Sequence, residues 1–331
     1  MNLVAANPLE RLSVAIADDL AAVNRLIRDR MASENAPRIP EVTAHLIEAG
    51  GKRIRPMLTL AVARLCGYEG VAHIKLAATV EFIHTATLLH DDVVDESAQR
   101  RGRPTANLLW DNKSSVLVGD YLFARAFQLM VEPGNTRALT ILSNAAAVIA
   151  EGEVLQLTAA QNLATTEETY FKVVRGKTAA LFSAATQVGP VLAGSPEDQV
   201  QALFDYGDAL GVCFQVVDDF LDFGGAGDGI GKRLGDDFRE RKLTLPVIRA
   251  IAQANGEELA FWDRTIARGD QLDGDLERAM ALMARHGTME STRQTALAWA
   301  DHAKRSLSPL PPHPLRDMLS DIADFVVQRV N

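Results

Sequence analysis

The sequence predicts an all-α fold, organised as one large domain over residues 1–331, and three observations predict it. The chain is rich in alanine and leucine with only 6% aromatic residues, and the alternating runs of Val, Ile, Thr and Tyr that mark strands are scarce. Long stretches pass without glycine or proline. Where Gly and Pro do occur they punctuate at short intervals, and no Ser/Gly/Pro-rich linker divides the chain. Length alone would allow about two domains; the missing linker favours one.

Met57–Cys66 reads as helix because it follows Pro56, which suits a first turn, and stops at Gly67. His73–Asp95 runs without a breaker, and Ser114–Val131 is interrupted only by Gly119 before Pro133-Gly134. Further helices are expected over Thr136–Leu163, Glu167–Val188, Pro196–Phe223, Thr244–Ala254, Gly274–His286 and Met289–Leu307. Ile74–Leu89 and Ala202–Val217 are apolar almost all round, as expected of central helices surrounded by others.

Composition excludes several functions. With 34 basic against 43 acidic residues the net charge is −9, which argues against a general nucleic-acid binder, since phosphate neutralisation needs a basic surface. Cys66 and Cys213 stand far apart with no CxxC or Cys/His spacing, so neither a disulfide scaffold nor a structural zinc site is expected. Residues 1–20 carry Glu10, Arg11, Asp18 and Asp19 and lack the pattern of a secretory signal. Apolar stretches such as Ala179–Ala193 fall short of the roughly 20 residues of a spanning helix. The expectation is a cytoplasmic protein with no integral membrane segment.

Against so apolar a background, two polar clusters need a reason. Asp91-Asp92-Val93-Val94-Asp95 ends the apolar run Phe82–Leu89, and Asp218-Asp219-Phe220-Leu221-Asp222 ends Val212–Val217. Each is DDxxD, so Asp91/Asp95 and Asp218/Asp222 form carboxylate pairs one helical turn apart. Each lies towards a helix C-terminus, where the macrodipole disfavours negative charge. One such motif is usually a solvated helix end. Two, each following a run that would bury its helix, are better explained by hard dications with oxygen ligands. Magnesium, held by carboxylates and substrate phosphates, fits best.

Basic residues flank both clusters: Arg100, Arg101 and Arg103 after the first, Lys232, Arg233, Arg239, Arg241 and Lys242 after the second, and Lys52, Arg53 and Arg55 after Gly50-Gly51. Alone, each group would read as surface solubility. Gathered beside metal-type aspartates in an acidic chain, they suit a polyphosphate ligand. Two decoys fall away. Gly176-Lys177-Thr178 is no P-loop, because Phe171 stands where the first glycine is required, and Glu81-x-x-His84 lacks the second copy of a di-iron site. His90 stays unassigned, and Glu151, Glu153 and Gln156 read equally as cavity lining or a polar face.

The segments GGKRIRP (50–56), FIHTATLLHDDVVDESAQRRGRPTAN (82–107), GDYLFARAF (119–127), GKTAALF (176–182), FQVVDDFLDFGG (214–225) and GKRLGDDFRERKLTLPVI (231–248) resemble, in order, those of the trans-isoprenyl diphosphate synthases, the polyprenyl synthetase family. The resemblance implies a helical bundle around a deep central cavity, usually a homodimer, and head-to-tail condensation of isopentenyl diphosphate onto an allylic prenyl diphosphate. By this likeness Asp91, Asp92, Asp95, Asp218, Asp219 and Asp222 hold about three Mg2+ ions on the allylic diphosphate. Lys52, Arg55, His84 and Arg101 are similar to residues that bind isopentenyl diphosphate, and Arg100 to one that grips the allylic diphosphate. Lys177, Thr178, Gln215, Lys232 and Lys242 match the allylic pocket, with the Lys177 carbonyl, Thr178 hydroxyl and Gln215 amide stabilising the carbocation. Arg241 departs from the glycine of many relatives.

In the family, bulky residues just before the first motif stop growth at farnesyl. Here Ala86 and Thr87 hold those positions, and the motifs look like those of bacterial octaprenyl and decaprenyl synthases that supply quinone side chains. A long-chain product is expected, with Phe82, Phe127 and Met130 as candidates for the tunnel floor. The alternatives are a geranylgeranyl or farnesyl diphosphate synthase, a non-catalytic subunit of a heteromeric synthase, and a terpene cyclase. Two intact aspartate motifs argue against the second and Lys52, Arg55 and Arg101 against the third.

Overall fold

The computed structural model describes residues 7–48, 51–100, 102–224 and 234–330. They are almost entirely helical, as the sequence predicts. In chain order the helices are α1 (Pro8–Ala15), α2 (Ala17–Met31), α3 (Arg38–Glu48), α4 (Ile54–Leu65), α5 (Ala72–Val94), α6 (Ala106–Leu109), α7 (Asn112–Val131), α8 (Thr136–Ala159), α9 (Glu167–Val174), α10 (Ala180–Ala193), α11 (Glu197–Gly224), α12 (Asp236–Arg239), α13 (Leu245–Ala252), α14 (Gly256–Trp262), α15 (Asp275–Arg285), α16 (Thr288–Ser306) and α17 (Pro314–Val327). Between α5 and α6 two short strands, β1 (Gln99–Arg100) and β2 (Arg103–Pro104), pair antiparallel with Arg100 opposite Arg103. Single π-turns, Arg175–Ala179 and Asp263–Ala267, join α9 to α10 and follow α14.

The chain gathers into two compact units, each of separate stretches: residues 1–146, 181–207 and 306–322 in the first, 147–180, 208–305 and 323–331 in the second. In the first unit α5 is nearly encased, with Leu76, Phe82, Ile83, Ala86 and Leu89 all at 0% exposure. Burying one such large side chain contributes about 1.5–3 kcal/mol. Close helix approach depends on glycine: a Cβ on Gly189 of α10 would stand 2.6 Å from the Ala63 nitrogen of α4.

Asp19 joins α2 to α4 and α5, accepting from Arg64 Nε and Nη2 at 2.7 and 2.8 Å and bonding to the buried His73 Nε2 at 3.1 Å. Arg64 holds the Asp19 carboxyl below its ordinary value of 3.8, while burial pushes His73 below its ordinary 6.5. In both cases the unfolded chain binds more protons, so stability falls on acidification. The His73 contribution declines as pH drops through about 6.5 and the Asp19 contribution as it drops below about 4. Urea midpoints measured against pH should show both losses. Asp19→Asn should abolish the lower one and reduce Tm at pH 7 by about 2–4 °C.

In the second unit Phe223, Phe238, Val247, Phe261, Trp262, Ile266, Leu282 and Met283 form one core. Arg241 stands on its edge in the left-handed region, φ 61°, the conformation for which glycine is suited. Its guanidinium donates from Nε and Nη2 to the carbonyls of Ile266 and Ala267, each at 2.8 Å, closing the end of the second π-turn. A glycine at this position would suit the same left-handed backbone, and the arginine adds a cap. Left-handed backbone costs a residue with a Cβ about 1–2 kcal/mol. Arg241→Gly should thus lose the cap but relieve the strain, whereas Arg241→Ala loses the cap and keeps the strain. Thermal melts should rank the glycine variant above the alanine variant.

α8, at 24 residues, is long and apolar enough to cross a membrane by length and composition, the one such helix among the described residues. The sequence places a helix over Thr136–Leu163, running through Gly152. In the structure Gly152 is the point where α8 meets a neighbouring backbone.

Candidate active site

In the first unit the last turn of α5 carries the first motif. The Asp95 amide donates to the Asp91 carbonyl at 2.8 Å, so the two carboxylates do sit one turn apart on a single helix end. Asp92 turns inward and is fully buried, and its Oδ1 accepts from Arg100 Nε and Nη2 at 2.8 and 2.7 Å. Burial raises its pKa against the lowering by Arg100. Arg100, expected to grip diphosphate, is thus anchored on the motif itself. Asp92 Oδ2 is buried with no hydrogen-bond partner among the described residues.

Arg55 and His84, expected to share one substrate, do come together. Arg55 Nη1 lies 3.4 Å from His84 Nε2, and the guanidinium stacks 4.3 Å from the centre of the Phe182 ring. Lys52 is exposed just before α4. Arg101 and Lys232 lie outside the described residues. His90 seats over Gly119 of α7 and bonds through Nε2 to the Val116 carbonyl at 3.1 Å, fastening the motif's helix to α7. Among the floor candidates Phe82 and Met130 are fully buried, while Phe127 is 44% exposed.

The second unit holds the other half of the expected residues. The π-turn Arg175–Ala179 carries Lys177 and Thr178. Such one-residue insertions re-aim backbone and side chains and recur at functional sites. The turn fits only because Gly152 and Gly176 touch: a Cβ on Gly176 would lie 2.8 Å from the Gly152 Cα. Lys177 Nζ donates to Glu153 Oε2 at 2.9 Å. The Thr178 hydroxyl donates to Gln215 Oε1 at 2.9 Å, and Gln215 Nε2 donates to Asp219 Oδ1 at 2.8 Å. Asp219 Oδ2 accepts from the Tyr170 hydroxyl at 2.5 Å.

The three aspartates of the second motif differ sharply. Asp218 is half-buried. Asp222 is buried, and its Oδ2 accepts from the Asp237 amide at 3.1 Å, tying α12 back to α11. Asp219 is 3% exposed. Burial and the Asp237 and Asp218 charges push its pKa well up, against the lowering by Tyr170 and Gln215. Lys242 Nζ donates to Glu240 Oε2 at 2.5 Å, and its amide to the Asp237 carbonyl at 2.8 Å.

Sequence reading missed Tyr170 and Asp237 and left Glu153 undecided. Among the described residues no three His, Cys, Asp or Glu side chains form a complete ion site. A dication held by one or two carboxylates takes its other ligands from phosphate and water. The donor chemistry fits such an ion: hard carboxylate oxygens in each motif, with the Asp92 Oδ2 buried and unsatisfied.

The family model described as Polyprenyl synthetase matches residues 36–283. The chain belongs to that family. This polyprenyl synthetase is 44% identical to the octaprenyl diphosphate synthase of Escherichia coli (strain K12) over 321 residues, 97% of this chain and 99% of that one. The crystal structure of a decaprenyl diphosphate synthase from Rhodobacter capsulatus superposes with a TM-score of 0.95 at 73% identity, covering 98% of this chain and 99% of that chain. A polyprenyl synthase from Caulobacter crescentus CB15, complexed with calcium and isoprenyl diphosphate, matches at a TM-score of 0.92 and 50% identity, covering 96% and 97%. The chain is therefore an all-α trans-prenyltransferase.

Proposed function

We propose that this polyprenyl synthetase condenses isopentenyl diphosphate head-to-tail onto an allylic diphosphate, repeatedly, to make a long-chain polyprenyl diphosphate of the octaprenyl-to-decaprenyl class for quinone side chains. The observation that carries the reading is the hydrogen-bonded run from Thr178 through Gln215 to Asp219 of the second DDxxD. It offers oxygen dipoles and no activated nucleophile, which suits a carbocation rather than a covalent protein intermediate. Relatives named for octaprenyl and decaprenyl products support the chain length.

Magnesium, when bound, would neutralise the departing diphosphate as a Lewis acid. Asp91, Asp92, Asp95, Asp218 and Asp222 are the residues to hold it. The Asp219 oxygens accept from Tyr170 and Gln215, which ties this aspartate to the groups behind the motif. Arg100 and Lys242 bind the allylic diphosphate, with Lys232. Lys52, Arg55, His84 and Arg101 bind isopentenyl diphosphate. As the allylic C–O bond breaks, its electron pair leaves with diphosphate. The Lys177 carbonyl, Thr178 oxygen and Gln215 amide face the positive carbon in a site shielded from water by apolar helices. The isopentenyl double bond then attacks that carbon, and the proton lost from the adduct passes to the leaving diphosphate.

The whole chain acts in this reading as one catalytic domain, cytoplasmic and homodimeric. Exposed apolar side chains support a partner surface: Leu117, Phe127 and Val131 fall within one stripe of α7, and Val154 and Leu157 share a face of α8. Incubating the protein with labelled isopentenyl diphosphate, farnesyl diphosphate and magnesium, then sizing the products, tests the function. Long-chain product is expected. Product no longer than geranylgeranyl, a cyclised hydrocarbon, or no turnover would each refute it.

A further inference from the structure

We propose that Tyr170 and Asp219 are positioning residues that set the polarity of the carbocation-facing dipoles, an inference that rests on the prenyl-transfer reading above. Four groups of the second unit form an unbroken relay. Tyr170 donates to Asp219, Gln215 donates to the other Asp219 oxygen, and Thr178 donates to Gln215. All four side chains are buried or half-buried.

The direction of each bond follows from the inventory of donors. The Tyr170 hydroxyl donates to Asp219 Oδ2 at 2.5 Å. Gln215 meets the other Asp219 oxygen through its NH2 group, with Nε2 2.8 Å from Oδ1. The Gln215 oxygen is then the end left for Thr178, and it takes the single hydroxyl proton Thr178 owns. Towards any further group the Thr178 oxygen can act only through lone pairs. That is the polarity a carbocation requires. Were the relay reversed, Gln215 would donate to Thr178, and the hydroxyl proton would be free to point at the positive carbon.

Tyr170 contributes by holding Asp219 in place from behind. Its ring packs edge-on against Phe171 at 5.2 Å between centroids, so Tyr170→Phe removes one hydrogen bond and leaves the packing. Asp219→Asn is the sharper change: its amide can donate to Gln215, and the relay can flip.

The test is steady-state and single-turnover kinetics of the full-length protein with farnesyl diphosphate and isopentenyl diphosphate, titrating magnesium for each variant. For Tyr170→Phe we expect kcat to fall about tenfold or more, the size of a lost hydrogen bond to a charged group. A larger loss is expected for Asp219→Asn. KM for both substrates and the magnesium concentration giving half-maximal rate should stay near wild type. Because the relay acts through Thr178, adding Tyr170→Phe to Thr178→Ala should cost little beyond Thr178→Ala alone, whereas independent sites would multiply. Thermal melts identify any variant that has lost its fold, and the Tyr170/Thr178 coupling is read from the folded variants. A raised magnesium requirement for Asp219→Asn would make Asp219 a metal ligand and overturn the inference, as would an unaffected Tyr170→Phe or multiplicative effects. An inactive wild-type protein would instead refute the prenyl-transfer reading itself.

Discussion

Alanine in place of Asp91 or of Asp218 is expected to lower kcat by roughly a thousandfold, the scale of losing an electrostatic contact to charge that develops in the transition state, while leaving the fold intact. The pairing of those two outcomes is what makes the result informative. Asp91 and Asp95 are like charges at i and i+4, a destabilising arrangement, in the last turn of α5, where the helix dipole adds a further penalty of about 0.3–1 kcal/mol. Asp218 stands beside Asp219 and one turn before Asp222 on α11. Removing one charge from either group relieves repulsion, so the melting temperature should hold or rise as turnover collapses. Asp91→Asn and Asp218→Asn keep the shape and should be nearly as damaging, because it is the charge that serves the cation. Near-normal turnover in either alanine variant would remove the aspartates from the mechanism. A loss of turnover that merely tracks a fallen melting temperature would reduce them to structural residues.

Those aspartates were legible because both properties that mark them, the i, i+4 spacing and the preceding apolar run, are local in sequence. The central helices were legible for the same reason. α5 was expected over His73–Asp95 and spans Ala72–Val94, and α11 was expected over Pro196–Phe223 and spans Glu197–Gly224. Elements that depend on distant packing were not. α1, α2, α3, α14 and α17 were passed over, being short or mixed in composition. The expected helix over 167–188 is in fact α9, a π-turn and α10, since an inserted residue in a helical ladder leaves no composition signal. α10 continues to Ala193 through Pro190, because tertiary packing of Gly189 against α4 outweighs the local signal to stop. Tyr170 reads as a core aromatic until its hydroxyl is seen on Asp219. Asp237 becomes relevant only because its amide returns to Asp222, fifteen positions earlier. The intact GxxxxGK-free stretch around Lys177 likewise says nothing of Glu153, which meets it from another helix.

Phenylalanine at Ala86 is expected to shorten the product, and this change should alter what the protein makes more than how fast it begins. Ala86 is five residues before Asp91 on the same helix, about 7 Å deeper at 1.5 Å per residue. It is fully buried, as is Phe82 one turn further. A prenyl chain whose diphosphate is held near Asp91 must pass Ala86 before it reaches Phe82, if the chain grows along this helix. A benzyl group there would meet the tail after the first condensations and leave the diphosphate end untouched. The first addition to farnesyl diphosphate should therefore keep most of its rate, while later additions fail and products collect at the short end. Overpacking a buried site costs about 1–3 kcal/mol, so a lower melting temperature is expected, and Ala86→Ser serves as the small control that retains the long product. Removing bulk deeper down, by Phe82→Ala, should act in the opposite direction if Phe82 closes the same channel. Should Ala86→Phe fold stably and still yield the wild-type distribution, the growing chain does not run past this face of α5, and Met130 on α7 becomes the side chain against which its length is measured.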